Sequence, residues 1–166
     1  FPNGMGNDSD QLGRNIMDHH LGVGASGKFD GYDDKYYKGR RPNGIYIPRF
    51  RNLPWGSEEN DKSDSFLRGY GFQGYTDRVS WSRANESTGY GADFKNSLKE
   101  PGDWWFSMVG FGEMLPRFEN HMRLDENKVD KWGIPVVHIS CEFSENELNM
   151  QKDIMEEAGK ILTTAG

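Results

Sequence analysis

The chain has 166 residues, with 20 Lys and Arg against 26 Asp and Glu and a net charge of −6. Its basic residues are scattered among acidic ones, which excludes the clustered basic face of a nucleic-acid or anionic-membrane binder. No apolar run approaches the roughly 18 residues that would cross a bilayer, and the single cysteine excludes an internal disulfide. The 10 Phe, 7 Tyr and 5 Trp together equal Leu, Ile and Val in number. Burial must therefore come largely from rings, each of which removes on the order of 150–250 Å² from water.

The length fits one domain. The chain opens on Phe1-Pro2-Asn3-Gly4 without an initiator Met and stops straight off a helical pattern, which reads as a piece of a longer chain. Residues 1–18 are rich in Gly, Asn and Asp and predict loop and turn. From His19 to Gly27 small, mildly apolar residues predict a strand with glycines where another backbone approaches closely. Residues 28–42 predict a loop. Asn43 to Phe50 predicts a strand with Ile45, Ile47 and Arg49 on one face and Tyr46 on the other. After a polar loop over 51–65, Phe66 to Tyr75 alternates glycine with aromatics and predicts another strand.

A short helix is expected from Ala92 to Lys99, ending before Pro101. Trp104 to Met114 is the strongest predicted strand, with Phe118 to Leu124 expected to pair with it and Pro135 to Cys141 following. Cys141 ends an apolar run and reads as a small buried hydrophobe. Ser144-Glu145-Asn146-Glu147 is a capping box. Behind it Leu148, Ile154, Met155, Ala158, Ile161 and Leu162 recur at helical spacing and predict a helix over 145–163. Strands and helices that do not alternate as βαβ units imply an α+β class with a mostly antiparallel sheet and flanking helices.

Gly22-Val23-Gly24-Ala25-Ser26-Gly27 matches the G-x-G-x-x-G pattern of dinucleotide-binding turns. The chemistry also needs a helix directly afterwards, and Lys28-Phe29-Asp30-Gly31 is a poor helix start, so the pattern reads as a glycine-rich strand. His19 and His20 are adjacent, hence on opposite faces of a strand, and His121 and His138 are solitary; no metal site is expected. Nothing forms a nucleophile–base–acid set, and no catalytic residue is assigned. A sheet face of Tyr, Phe and Trp beside glycine offers flat platforms on which sugars stack, with an aromatic core as the plainer alternative.

Two stretches carry a resemblance. Leu12-Gly13-Arg14-Asn15-Ile16-Met17-Asp18-His19 is similar to a segment of the glucose–methanol–choline (GMC) oxidoreductases. Gly110-Phe111-Gly112-Glu113-Met114-Leu115-Pro116, then Asn120, Leu124-Asp125 and Asp130-Lys131-Trp132-Gly133-Ile134-Pro135, resembles the run into that family's last substrate-domain strand and helix. Phe1-Pro2-Asn3-Gly4 and Asn43-Gly44-Ile45-Tyr46-Ile47-Pro48-Arg49-Phe50 look most like bacterial sugar- or polyol-oxidising members, those related to gluconate and sorbose dehydrogenases.

The resemblance implies a substrate-binding domain over 19–166, joined through residues 1–18 to an FAD-binding domain of the same chain. It implies oxidation of a CH–OH group of a small sugar or polyol by hydride transfer to FAD. The family's pyrophosphate-binding fingerprint and its C-terminal histidine base are not in these 166 residues, so the fragment alone is expected to be inactive and not to bind FAD. Gly13, Arg14, Asn15, Asp18 and His19 match the segment that passes the flavin. Asn15 and His19 would support cofactor-side contacts or, alternatively, cap a turn and begin a strand. For the substrate face the candidates are Tyr46, Arg49, Gln73, Trp104 and Phe106, with Arg49 forking onto hydroxyls or a carboxylate. Glu113, Pro116 and Asn120 read as structural. The rival expectation is a stand-alone carbohydrate-binding or interaction domain without redox chemistry.

Overall fold

The computed structural model describes residues 4–20, 22–32, 44–55, 61–78 and 81–166. Strands β1 (Val23–Phe29), β2 (Gly44–Ile47), β3 (Tyr70–Arg78) and β4 (Trp104–Gly112) form an antiparallel sheet in the order β1-β4-β3-β2. Strands β5 (His121–Val129) and β6 (Pro135–Ser140) form a separate antiparallel hairpin. Helix α1 covers Gly91–Ser97 and helix α2 covers Glu145–Ala165. The class is α+β with mostly antiparallel sheets. Among the described residues no helix is long and apolar enough to cross a membrane.

Alternation along the strands divides the four-stranded sheet into two unlike faces. Tyr70, Phe72 and Gly74 of β3 stand opposite Gly112, Gly110 and Met108 of β4. This face packs against α2, where Met150, Ile154, Ala158 and Leu162 join Tyr70, Phe72 and Met108 in the core. The helix lies close because the strand opposite it carries no side chains at two positions. A Cβ on Gly110 would fall 2.4 Å from Ile154 Cγ2, and one on Gly112 would fall 2.4 Å from Met150 Sδ. Burial of each such large side chain contributes about 1.5–3 kcal/mol. The other face of the sheet carries the exposed side chains of Tyr46, Gln73, Tyr75 and Trp105.

A polar clamp fixes the loop after β2 to α2. Arg51 Nε donates to Asp153 at 2.9 Å and its Nη2 pairs with Glu157 at 2.9 Å. The Tyr70 hydroxyl also donates to Asp153. Burial and the neighbouring Asp153 carboxylate together push the Tyr70 hydroxyl well above the usual phenol range.

Several expectations need correction. Phe118 to Leu124 does not pair with β4, because β1 and β3 occupy both edges of that strand. Instead β5 folds onto β6 through a turn in which Asp130 Oδ1 accepts the backbone N–H groups of Trp132 and Ile134. The strand expected from His19 begins at Val23, and His19 forms an isolated bridge to Glu113. Lys28 and Phe29, expected in a loop, complete β1; residues 33–42 of that loop, and Asn43 at the start of the next expected strand, lie outside the described residues. The third strand runs over Tyr70–Arg78 and not over 66–75, since Phe66 turns into the core instead of pairing.

On α2 the buried stripe is Glu147, Met150, Ile154, Ala158 and Leu162, while Leu148 and Met155 are exposed. Those two sit one position off the stripe, where hydrophobicity alone does not distinguish them from it. Cys141 is exposed, not buried, and so are Val137 and Ile139 of the neighbouring strand β6. Val23–Gly27 lies within β1, which continues through Phe29, so no helix begins directly after the glycines, as the glycine-strand reading requires.

Candidate functional site

The residues before β1 run antiparallel along the ends of β4 and β5, and this path brings distant sequence together. The Gly13 carbonyl accepts Met122 N at 2.8 Å, and Ile16 N donates to the Asn120 carbonyl at 3.1 Å. Further on, Met114 N donates to the Asp18 carbonyl at 3.2 Å and His20 N donates to that of Gly112 at 3.1 Å. Gly13 must be glycine here: its φ is +76°, and a Cβ would fall 2.3 Å from the Met122 carbonyl oxygen. Asn120 is buried and clamps Glu142 through both ends of its amide, accepting Glu142 N at 3.0 Å and donating to its carbonyl at 3.1 Å.

Where this segment crosses the end of the sheet an open cleft of about 490 Å³ forms, walled by Asp18, His19, Tyr46, Arg49, Phe111 and Glu113 among others. The floor is backbone at Gly69, Gly71 and Gly112. His19 stacks on Phe111, with ring centroids 5.8 Å apart and planes 13° from parallel. Its Nδ1 lies 2.8 Å from Asp18 Oδ1, which also accepts the His19 backbone N–H at 2.7 Å. Those two hydrogen bonds, backbone first, hold the Asp18 carboxyl below the usual range. An ionised carboxylate only accepts, so Nδ1 is the donor in this pair, and the ring is held in one orientation. The cleft thus combines aromatic walls, two carboxylates and a fixed imidazole on an exposed backbone floor. Such a lining suits a small ligand bearing several hydroxyl groups.

The structure separates the residues singled out in the sequence. Asp18 and His19 lie at the cleft, whereas Gly13, Arg14 and Asn15 stand away from it against the hairpin. Arg14 lies over the Phe118 ring at 4.2 Å and pairs with Asp10 at 3.2 Å, and Asn15 adopts a left-handed φ of 57°. These three shape the turn. Tyr46 and Arg49 reach the cleft, but Arg49 is occupied: its Nε donates to the Arg51 carbonyl at 2.9 Å and its Nη2 to that of Asn52 at 2.5 Å. It holds a loop and presents no free fork.

Gln73 lies on the open face opposite Tyr46, outside the cleft. Trp104 and Phe106 lie on the helix side, Phe106 packed against the core and Trp104 donating through Nε1 to the Tyr32 carbonyl at 3.0 Å. They cannot share a surface with Tyr46 and Gln73. The aromatic neighbours that do share it are Trp105, Tyr75 and Phe111, which the sequence reading passed over. The signal for them was present: strict alternation from Gly112 back to Trp104 puts every odd residue of β4 on the open face.

His20 is fully buried with both ring nitrogens unpartnered, edge-on to Phe143. Burial depresses its pKa, although Glu147 opposes the shift and His19 adds to it. Among the described residues no group of three or more His, Cys, Asp or Glu stands placed to hold a metal ion. Compared with protein-family models and with curated proteins, the sequence matches none.

Proposed function

We propose that this chain is the substrate-binding part of an FAD-dependent oxidoreductase of the GMC type, acting on a CH–OH group of a sugar or polyol. The observation that supports the reading is the meeting of the two stretches that carry the resemblance. Asp18 and His19 from the first, and Phe111 and Glu113 from the second, line one cleft although more than ninety positions separate them. The chain provides no pyrophosphate cradle at Gly22–Gly27, since Val23–Gly27 belongs to β1. The FAD would therefore be held by another domain of the same chain, with the cleft facing it. When bound, FAD would supply the hydride acceptor, and the hydroxyl proton would pass to the base that the resemblance places outside these residues. The residues here would bind and orient the substrate: Tyr46 and Phe111 against its carbon face, and Asp18 and Glu113 toward its hydroxyls.

The test is purification of the full-length protein, followed by its visible flavin spectrum and bleaching of that spectrum by candidate sugars without oxygen. Bound flavin reduced by a sugar or polyol is the expected result. A colourless protein that FAD does not reconstitute overturns the reading. The exposed aromatic face supports a second reading, a carbohydrate-binding domain without redox chemistry. Sugar binding by a flavin-free full-length protein would favour it.

A further inference from the structure

The open face of the four-stranded sheet carries a diagonal row of aromatic side chains. Trp105 of β4 stands opposite Asp77 of β3, Tyr75 lies two residues along β3, and Tyr46 of β2 lies one strand over and two residues further, opposite Gln73. Diagonal neighbours of this kind are separated by roughly 7–8 Å at the backbone, so the row steps evenly across three strands. Trp105, Tyr75 and Tyr46 are 42%, 55% and 68% exposed, too much for core residues. Short polar side chains flank the row, including Ser26 and Ser107, which hydrogen-bond each other at 2.8 Å.

The row runs into the cleft at Tyr46. We infer that this face binds a flat, neutral, β-1,4-linked oligosaccharide, its end in the cleft and its later rings on Tyr75 and Trp105. Placing the chain's end there rests on the function proposed above; the aromatic row does not.

Three physical features select this occupant. The row is longer than one sugar ring, so filling it needs a chain and not a monosaccharide. A β-1,4-linked chain is an extended ribbon that can reach successive positions of the row, whereas an α-1,4-linked chain coils away from them. Charge argues against an anionic polymer: Lys28, beside Trp105 in the register, is neutralised by Asp30 and Asp103, each 3.3 Å from its Nζ. Among the described residues the face therefore offers aromatic stacking and hydroxyl contacts without a net positive field.

The experiment is calorimetric titration of the full-length protein with glucose, cellobiose, cellotetraose and maltotetraose, with flavin content measured on the same samples. Affinity should rise about tenfold from glucose to cellotetraose, equivalent to about 1.4 kcal/mol, and maltotetraose should bind more weakly than cellotetraose. In Trp105→Ala and Tyr75→Ala, cellotetraose should lose its advantage over cellobiose. Both side chains are exposed, so both variants should fold, as circular dichroism will show. Cellotetraose binding no tighter than glucose, equal binding of maltotetraose, or length dependence that survives both substitutions overturns the inference. Length-dependent binding without flavin upholds the aromatic row and overturns the oxidoreductase reading. Flavin without length dependence does the reverse.

Discussion

The Glu147 carboxylate, in the first turn of α2, accepts the backbone N–H of Leu115 at 3.0 Å. Its second oxygen accepts the Ser144 N–H at 2.7 Å and the Ser144 hydroxyl at 2.5 Å. One buried side chain thus completes the capping box and ties the start of the helix to the segment leaving β4. Burial alone would push this carboxyl up, but donors from Ser144, Leu115 and Asn146 outweigh it and hold it at about 2.

Replacing this group with Glu147→Ala removes the cap and strands the Leu115 donor. The loss should reach about 3 kcal/mol, the sum of a capping contribution and an unsatisfied buried donor. Urea unfolding monitored by far-UV circular dichroism measures it. Glu147→Gln keeps the shape but lacks the charge, and should lose less.

Acid should destabilise the fold in two steps. The folded pKa of His20 lies below the ordinary 6.5, so the unfolded chain takes up a proton first as pH falls. Stability from neutral His20 is complete above about pH 6.5 and declines as pH drops below it. Glu147 has a folded pKa near 2 against an ordinary 4.5, so its contribution is complete above 4.5 and is lost toward 2. Thermal melts from pH 7 to 5 should show the first decline, and His20→Met should flatten it. An unchanged slope in that variant would refute the assignment.

Two glycines should respond in opposite directions. In Gly24→Ala the new Cβ would fall 1.9 Å from the Met108 carbonyl oxygen, a backbone atom that can yield only by separating β1 from β4. A loss of about 3 kcal/mol is expected. In Gly159→Ala the Cβ meets nothing within 4 Å on α2, so the variant should gain about 1 kcal/mol from helix propensity. Denaturant midpoints of the two variants check both signs.

The clamp at Arg51 is the link between the loop after β2 and α2. Arg51→Met leaves Asp153 and Glu157 without their shared guanidinium in a site where all three side chains are at most 21% exposed. A loss of about 3 kcal/mol is expected, with the loop from 51 to 55 becoming sensitive to proteolysis before the core unfolds. Simultaneous loss of loop and core would contradict the assignment of the clamp to this junction.

The sequence by itself determined the local elements and the class. The capping box at Ser144 and Glu147 marked the start of α2, and alternation marked β4, because hydrogen bonding in a turn and the pleat of a strand act over a few residues. Gly22–Gly27 was legible as a strand for the same reason: a helix must begin at once if glycines are to hold a phosphate. Of the residues that wall the cleft, Asp18, His19, Tyr46 and Arg49 were singled out from the sequence, whereas Phe111 was not and Glu113 was read as structural.

Which elements pair, and which face each side chain serves, only the tertiary structure decided. Phe118 to Leu124 carries nothing that names its partner; the occupied edges of β4 leave it to β6. Trp104 and Trp105 are neighbours of the same type, and one packs under the sheet while the other stands on its open face, because α2 covers a single side. Asp18 and His19 become part of a cleft only when their segment lies across Gly112 and Met114. Aromatic abundance was visible from composition, but its division between a core and an exposed diagonal row depends on where the helix lies.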